Sequence, residues 1–118
     1  MKSLHIFDTY GEWVATRIGD NIFDLTGTWV GWLDGDEIYS TDGEFIGNFS
    51  RDQRILRKRV RDIQPLRTDI PPAPETPQLP ARAPLPPMFA ELTYDMIDVL
   101  DEDPDTFKRL SERRPDID

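Results

Sequence analysis

One ten-residue phrase recurs three times in the first half of the chain. Ile6-Phe7-Asp8-Thr9-Tyr10-Gly11-Glu12-Trp13-Val14-Ala15 returns as Ile22-Phe23-Asp24-Leu25-Thr26-Gly27-Thr28-Trp29-Val30-Gly31, and again as Ile38-Tyr39-Ser40-Thr41-Asp42-Gly43-Glu44-Phe45-Ile46-Gly47. The starts fall at positions 6, 22 and 38, a constant step of 16. A fixed short period means one small structural unit used several times, and it restricts the chain to a repeat architecture. Each unit reads as strand, turn, strand. Ile6-Phe7, Ile22-Phe23 and Ile38-Tyr39 are β-branched and aromatic residues suited to a pleated strand. Asp8, Asp24 and Ser40 open a turn, because their side chains can bond the backbone just ahead. Gly11, Gly27 and Gly43 close it by tolerating positive φ. The second strands run from 12 to 17, 28 to 33 and 44 to 49. Turn signals at Gly19-Asp20-Asn21, Asp34-Gly35-Asp36 and Arg51-Asp52 join the units. The fold class expected is mainly β, an antiparallel meander of repeated β-hairpins.

The second strands carry a further regularity. Trp13, Trp29 and Phe45 form one column, with Ala15, Gly31 and Gly47 two residues on along the same face. A large ring beside a very small residue lets the ring of one unit lie over the backbone of the next. Val14, Val30 and Ile46 take the opposite face and are the expected inner layer. The aromatic column serves either packing between units or, if exposed, the stacking of a sugar or base. Trp32 lies outside the column and is the best single candidate for an exposed aromatic. A fourth unit would begin at position 54, with Ile55-Leu56 as its first strand. There the pattern fails: Arg59 stands where Gly is expected, and Arg61 where Trp or Phe is expected.

The spacing Ile-Phe-Asp-x-x-Gly-x-Trp-Val, with Val30-Gly31-Trp32 and Asp42-Gly43-Glu44-Phe45-Ile46-Gly47, resembles the bacterial four-fold β-flower domain over residues 4–60. The resemblance implies hairpin petals around a pseudo-four-fold axis, followed by a proline-rich and basic tail. It implies no activity. The three good units leave an unfinished edge, to be closed by an irregular fourth petal, by the tail, or by another subunit.

Charge divides the chain. Residues 51–67 carry Arg51, Arg54, Arg57, Lys58, Arg59, Arg61 and Arg67 against Asp52 and Asp62, a net +5 within a chain of net −9. Arg57, Lys58, Arg59 and Arg61 are therefore candidates for nucleic acid or another polyanion. The competing reading is internal, a basic band lying against acidic neighbours. It is preferred, because acid on either side competes with phosphate and no aromatic interleaves the arginines.

Nine of the eleven prolines fall between 65 and 87. Pro71, Pro74, Pro77 and Pro80 occur every third residue, so in a polyproline II helix they share one edge. The segment cannot form a helix or a central strand and reads as an extended, semi-rigid spacer. Pro77-Gln78-Leu79-Pro80-Ala81-Arg82 also fits a P-x-x-P-x-R ligand of SH3 type, making Pro77, Pro80 and Arg82 candidate partner-binding residues. Beyond it, Phe89, Leu92, Met96, Val99 and Leu100 step along one helical face, and Phe89, Leu92 and Met96 join the candidate contacts. Asp103-Pro104-Asp105-Thr106 would start a second short helix, with Phe107 and Leu110 as its apolar face and Pro115 ending it. The expected organisation is a hairpin domain over 4–62, a Pro-rich linker over 63–87 and an acidic helical tail over 88–118.

Several chemistries are disfavoured. There is no cysteine and one histidine, His5, which leaves no thiolate site and no multi-histidine metal site. Asp34-Gly35-Asp36-Glu37 lacks the ligand spacing of a calcium loop. No nucleophile elbow or phosphate-binding loop is present. The expectation is a non-enzyme that needs no cofactor or metal. The N-terminus has no apolar signal segment and no run approaches the ~20 residues of a membrane span, so a cytoplasmic protein is expected. The reading preferred from the sequence is a protein-interaction or assembly module that binds a protein partner or itself. Polyanion binding by segment 51–67 and carbohydrate binding by an exposed tryptophan are the alternatives.

Overall fold

Each 16-residue unit folds as a hairpin in the computed structural model, which describes residues 3–60, 64–103 and 106. Ser3–Phe7 (β1) pairs with Trp13–Ile18 (β2), Asn21–Phe23 (β3) with Trp29–Asp34 (β4), and Glu37–Ser40 (β5) with Phe45–Phe49 (β6). The three petals turn in the same way. The Asp8 N–H donates to Glu12 O and the Gly11 N–H to Asp8 O, both at 3.0 Å, and the same two bonds recur at Asp24–Gly27 and Ser40–Gly43. Asp8 Oδ1 accepts from the N–H groups of Tyr10 and Glu12, Asp24 Oδ1 from Thr26 and Thr28, and Ser40 Oγ from Asp42 and Glu44. One short polar side chain thus satisfies two backbone donors that the turn would leave unpaired. The closing glycines sit at φ of 85°, 88° and 89°. The register shifts at the same place in every petal, which sets Phe7 opposite Trp13, Phe23 opposite Trp29, and Tyr39 opposite Phe45.

The core lies where the petals converge. Ile6 faces Ala15, Ile22 faces Gly31 and Ile38 faces Gly47. Ile6, Ile22, Ile38 and Ile55 are all 0% exposed, and each such burial is worth about 1.5–3 kcal/mol. The residues opposite Ile6, Ile22 and Ile38 are small. A Cβ at Gly47 would lie 2.9 Å from Leu56 O and 3.0 Å from Ile55 Cγ2. Ile46 is buried, and Val14 and Val30 pack on the same cluster, in keeping with the inner layer read from the sequence. The aromatic column is half-buried.

The fourth petal is built differently. Ile55–Lys58 (β7) pairs on one side with β6 and on the other with Met96–Asp98 (β8), a strand that arrives only after a long connection and runs directly into the helix Val99–Glu102 (α1). Among the described residues, eight strands form one antiparallel sheet in chain order. Of the three ways to finish the edge, the chain uses its own C-terminal segment. The helical face expected from Phe89 to Leu100 is corrected accordingly. Phe89 and Leu92 lie in irregular backbone, Met96 is in a strand, and the helix starts only at Val99. The open ladder of β7 supplies backbone partners that a three-turn amphipathic pattern cannot match locally, so strand pairing overrides the periodicity. Of the second expected helix only Asp103 and Thr106 fall among the described residues; Phe107, Leu110 and Pro115 lie outside them.

The link from β6 to β7 reuses the petal turn. The Ser50 N–H donates to Arg54 O at 2.8 Å and the Gln53 N–H to Ser50 O at 3.1 Å. Gln53 takes the glycine's place, at a φ of 64°. This link puts Ile55, rather than the residue that a strict period would choose, into the isoleucine ring, and frees Arg54 for another role. Gln53 also closes the flower. Its carbonyl accepts from the Phe7 N–H at 2.9 Å, and its Nε2 donates to His5 O at 2.7 Å. No helix among the described residues is long and apolar enough to cross a membrane.

Candidate interaction site

Residues 64–95 contain no strand or helix and lie along the rim of the flower as a belt. The belt passes the three turn glycines in reverse chain order. A Cβ on Gly43 would fall 2.2 Å from Arg67 O, one on Gly11 3.2 Å from Pro86 Cγ, and one on Gly27 4.0 Å from Thr76 Cγ2. The turn glycines therefore serve two ends: they adopt positive φ, and they clear a track for the belt. Pro71, Pro74, Pro77 and Pro80 are half-buried, while the residues between them are exposed except Leu79. That is the shared edge expected of polyproline II, turned toward the flower. Pro77 and Pro80 of the P-x-x-P-x-R motif face inward with it. The Arg82 side chain is exposed and its carbonyl lies 3.2 Å from His5 Nε2.

Arg67 anchors one end of the belt. Its N–H donates to Gly43 O at 2.8 Å, and its guanidinium lies 5.1 Å from the centre of Trp32 and 4.8 Å from that of Tyr39. It bonds both oxygens of Asp69, at 2.7 and 2.6 Å, and Asp34 at 3.2 Å. These hydrogen bonds pull the Asp69 carboxyl down to about 2 and raise the Arg67 guanidinium further above its usual value. Beside this anchor opens a cleft of about 470 Å³, lined by Asp20, Asn21, Trp32, Leu33, Asp34, Arg67, Asp69, Pro71 and Pro72. Trp32, expected to be the exposed aromatic, is instead 4% exposed. It stacks on Tyr39 at 4.9 Å and donates from Nε1 to Ser40 O, because Arg67 and the petal cover its ring. A buried ring offers no face to a sugar.

The other end of the belt is held by a buried polar clasp. Arg54 is 1% exposed. Its Nε and Nη2 grip the two Asp52 oxygens at 3.1 and 2.7 Å, Nη2 also donates to Ala90 O at 2.8 Å, and Nη1 donates to Thr9 Oγ1 at 3.1 Å. The Phe89 ring lies 4.8 Å from the guanidinium and packs on Phe7. The Ala90 N–H returns a bond to Asp52. Burial opposes ionisation of Asp52, but the bonds from Arg54, Ser50 and Ala90 outweigh it and hold the carboxyl below its usual range. Thr9 donates its N–H and its hydroxyl to Asp98 Oδ2, both at 2.7 Å. Asp98 is 2% exposed, and Oδ1 has no partner among the described residues. Burial pushes the Asp98 carboxyl up, and the Thr9 bonds offset only part of this. The clasp joins petals one and four to the belt.

The basic candidates are spread out. Arg59 stacks on Tyr94, donates to Tyr94 O at 3.1 Å and lies 3.9 Å from Glu102. Arg57 donates to Lys58 O, and Lys58 is exposed at the end of β7. Arg61 lies outside the described residues. Leu92 and Met96 are half-buried, Met96 within β8. Arg54, Asp98, Thr9 and Gln53 were not singled out in the sequence, although one signal was present: Arg54 occupies the position that the 16-residue step assigns to isoleucine.

Residues 2–94 match the family described as 4-fold beta flower protein. The chain belongs to that family. The match runs through the belt to the threshold of β8, further than the hairpin repeats alone. No curated protein and no solved structure matches the chain. Among the described residues of this β-flower protein, no cluster of three or more His, Asp or Glu side chains could hold a metal ion.

Proposed function

We propose that this β-flower protein is a non-enzymatic assembly module that associates with copies of itself through the outer edge of its belt. One observation carries the reading. Leu85 and Met88 are 92% and 96% exposed on a belt that is otherwise pinned to the flower, and Tyr10, beside the Gly11 that Pro86 crosses, is 77% exposed. Apolar side chains on a restrained backbone need lose little chain entropy on binding. The run from Ala83 to Ala90 carries no charge in a chain of net −9, so two such edges can meet without direct charge repulsion. Multi-angle light scattering across concentrations tests this. Wild type is expected to exceed the 13.7 kDa of one chain. The triple variant Tyr10→Ser, Leu85→Ser, Met88→Ser is expected to stay at that mass with an unchanged melting temperature. A wild type that remains monomeric at every concentration overturns the reading. Polyanion binding by Arg57, Lys58, Arg59 and Arg61 is the weaker alternative, since Arg59 already shares its guanidinium with Tyr94 and Glu102.

A further inference from the structure

The fourth petal is the only one whose two strands are far apart in sequence, with residues 59–95 between them. Much of what holds this connection in place is a surface of the flower: the Gly43 turn at Arg67, the Gly11 turn at Pro86, His5 at Arg82, and Asp52 with Arg54 at Ala90. A second copy presents the same surfaces in the same geometry. We propose that two copies exchange the belt and β8, each completing the fourth petal of the other. The proposal goes beyond the belt-edge contact above and adds a second way in which two copies associate, one that does not use Tyr10, Leu85 or Met88.

Exchange preserves the belt contacts, the clasp and the β7–β8 ladder. It changes only the path of the chain between β7 and Arg67. The described residues at either end of that crossing, 58–60 and 64–66, are exposed, and Val60 and Leu66 stand 85% and 60% open to solvent. In an exchanged pair Val60 and Leu66 of the two copies can cover one another, side chains that the single chain leaves wet. Within one chain the belt competes with an effective concentration on the order of millimolar. Exchange is therefore expected in concentrated samples and after refolding at high concentration, and the single-chain arrangement on dilution.

Lys58 and Met96 face each other across β7 and β8. The Arg59 N–H donates to Asp95 O at 2.6 Å, which makes 58 and 96 a pair without mutual hydrogen bonds. The Cα atoms of such pairs lie about 4.5 Å apart, within the reach of a disulfide. The chain has no cysteine of its own. Full-length Lys58→Cys and Met96→Cys chains are mixed in denaturant, refolded concentrated and oxidised. The expected result is a disulfide-linked dimer at least several-fold more abundant than either variant forms alone. The double variant Lys58→Cys, Met96→Cys, refolded dilute, is expected to close within one chain and shows that the geometry allows the bond. Closure there, with no excess dimer in the mixture, overturns exchange. Light scattering on the concentrated refolded wild type separates the two proposals. A dimer whose mixed variants do not cross-link leaves self-association standing without exchange, and a sample wholly at the single-chain mass overturns both.

Discussion

Petals one to three and petal four deliver the same isoleucine to the same core by different routes. In the first three, a polar residue and a glycine turn the chain within a few residues, and the second strand is at hand to pair. In the fourth, β7 waits for a strand that arrives only after the belt has passed three turns, and a buried Arg54 clasp takes over the work of the local turn. The first three petals rest on contacts between near neighbours in sequence, whose closure costs little entropy. The fourth rests on long-range contacts, which carry a larger loop-closure cost and must be held by strong interactions. The lesson is that a repeat can be four-fold in its core while only three of its units are local.

The largest expected effect breaks the fourth petal alone. Arg54→Met removes the bidentate partner of Asp52 and the donors to Ala90 O and Thr9, and leaves carboxylates in a buried site. A loss of about 3–5 kcal/mol is expected, read as a lower urea midpoint. Hydrogen exchange should locate the change, with β7 and β8 losing protection before β3 to β6. Uniform loss across all strands would show that the fourth petal is not a separable unit.

Substitutions at the turn glycines sharpen the contrast between turn and track. Gly43→Ala meets the Arg67 backbone at 2.2 Å and should displace the belt, costing about 1–3 kcal/mol for overpacking beyond the strain at positive φ. Gly27→Ala has only Thr76 Cγ2 at 4.0 Å and should cost only the conformational strain, about 1–2 kcal/mol. Chemical denaturation of the two variants compares them, and equal losses would count against the track.

Acid titration separates the two carboxylates of the clasp. Asp98 has a raised folded-state pKa, so its buried charge destabilises the fold above that pKa. The penalty fades as the pH falls toward the ordinary value of 3.8. Asp52 has a lowered folded-state pKa, so its contribution is present above 3.8 and is lost as the pH falls through the folded value. Asp98→Asn should therefore gain stability relative to wild type as the pH rises from about 4 to 7. Urea midpoints at several pH values check this, and a pH-independent difference would overturn it.

The smallest effect compares two tryptophans in one column. Trp13 Nε1 donates to Ala15 O at 2.9 Å and to Thr16 Oγ1 at 3.1 Å. Trp29 Nε1 is buried and has no partner among the described residues, because the position matching Thr16 is Trp32. Trp13→Phe should cost about 1 kcal/mol more than Trp29→Phe, which should be close to neutral. Thermal melts of the two variants suffice, and the third petal already carries Phe45 there.

Local features were readable residue by residue. Asp8-to-Gly11 chemistry predicts the petal turns, and they form as expected in all three copies. The three-residue spacing of Pro71 to Pro80 predicts a shared edge, and that edge is the one half-buried on the flower. The clasp was not readable. Thr9 and Asp98, or Arg54 and Ala90, are chemically ordinary until the chain brings them together. Trp32 misled for the same reason: its exposure depends on Arg67, in a segment that carries no sign of where it will lie.

The sequence by itself determined the hairpin unit, its step of 16, and the alternation of large and small residues that lets petals converge, because these depend on turn conformation and side-chain size over a few residues. Tertiary structure alone decided that the proline-rich segment is a belt and that Met96–Asp98 is a strand. Both choices answer to the unpaired edge of β7 and to the track left by three glycines, surfaces that exist only once the first petals have folded.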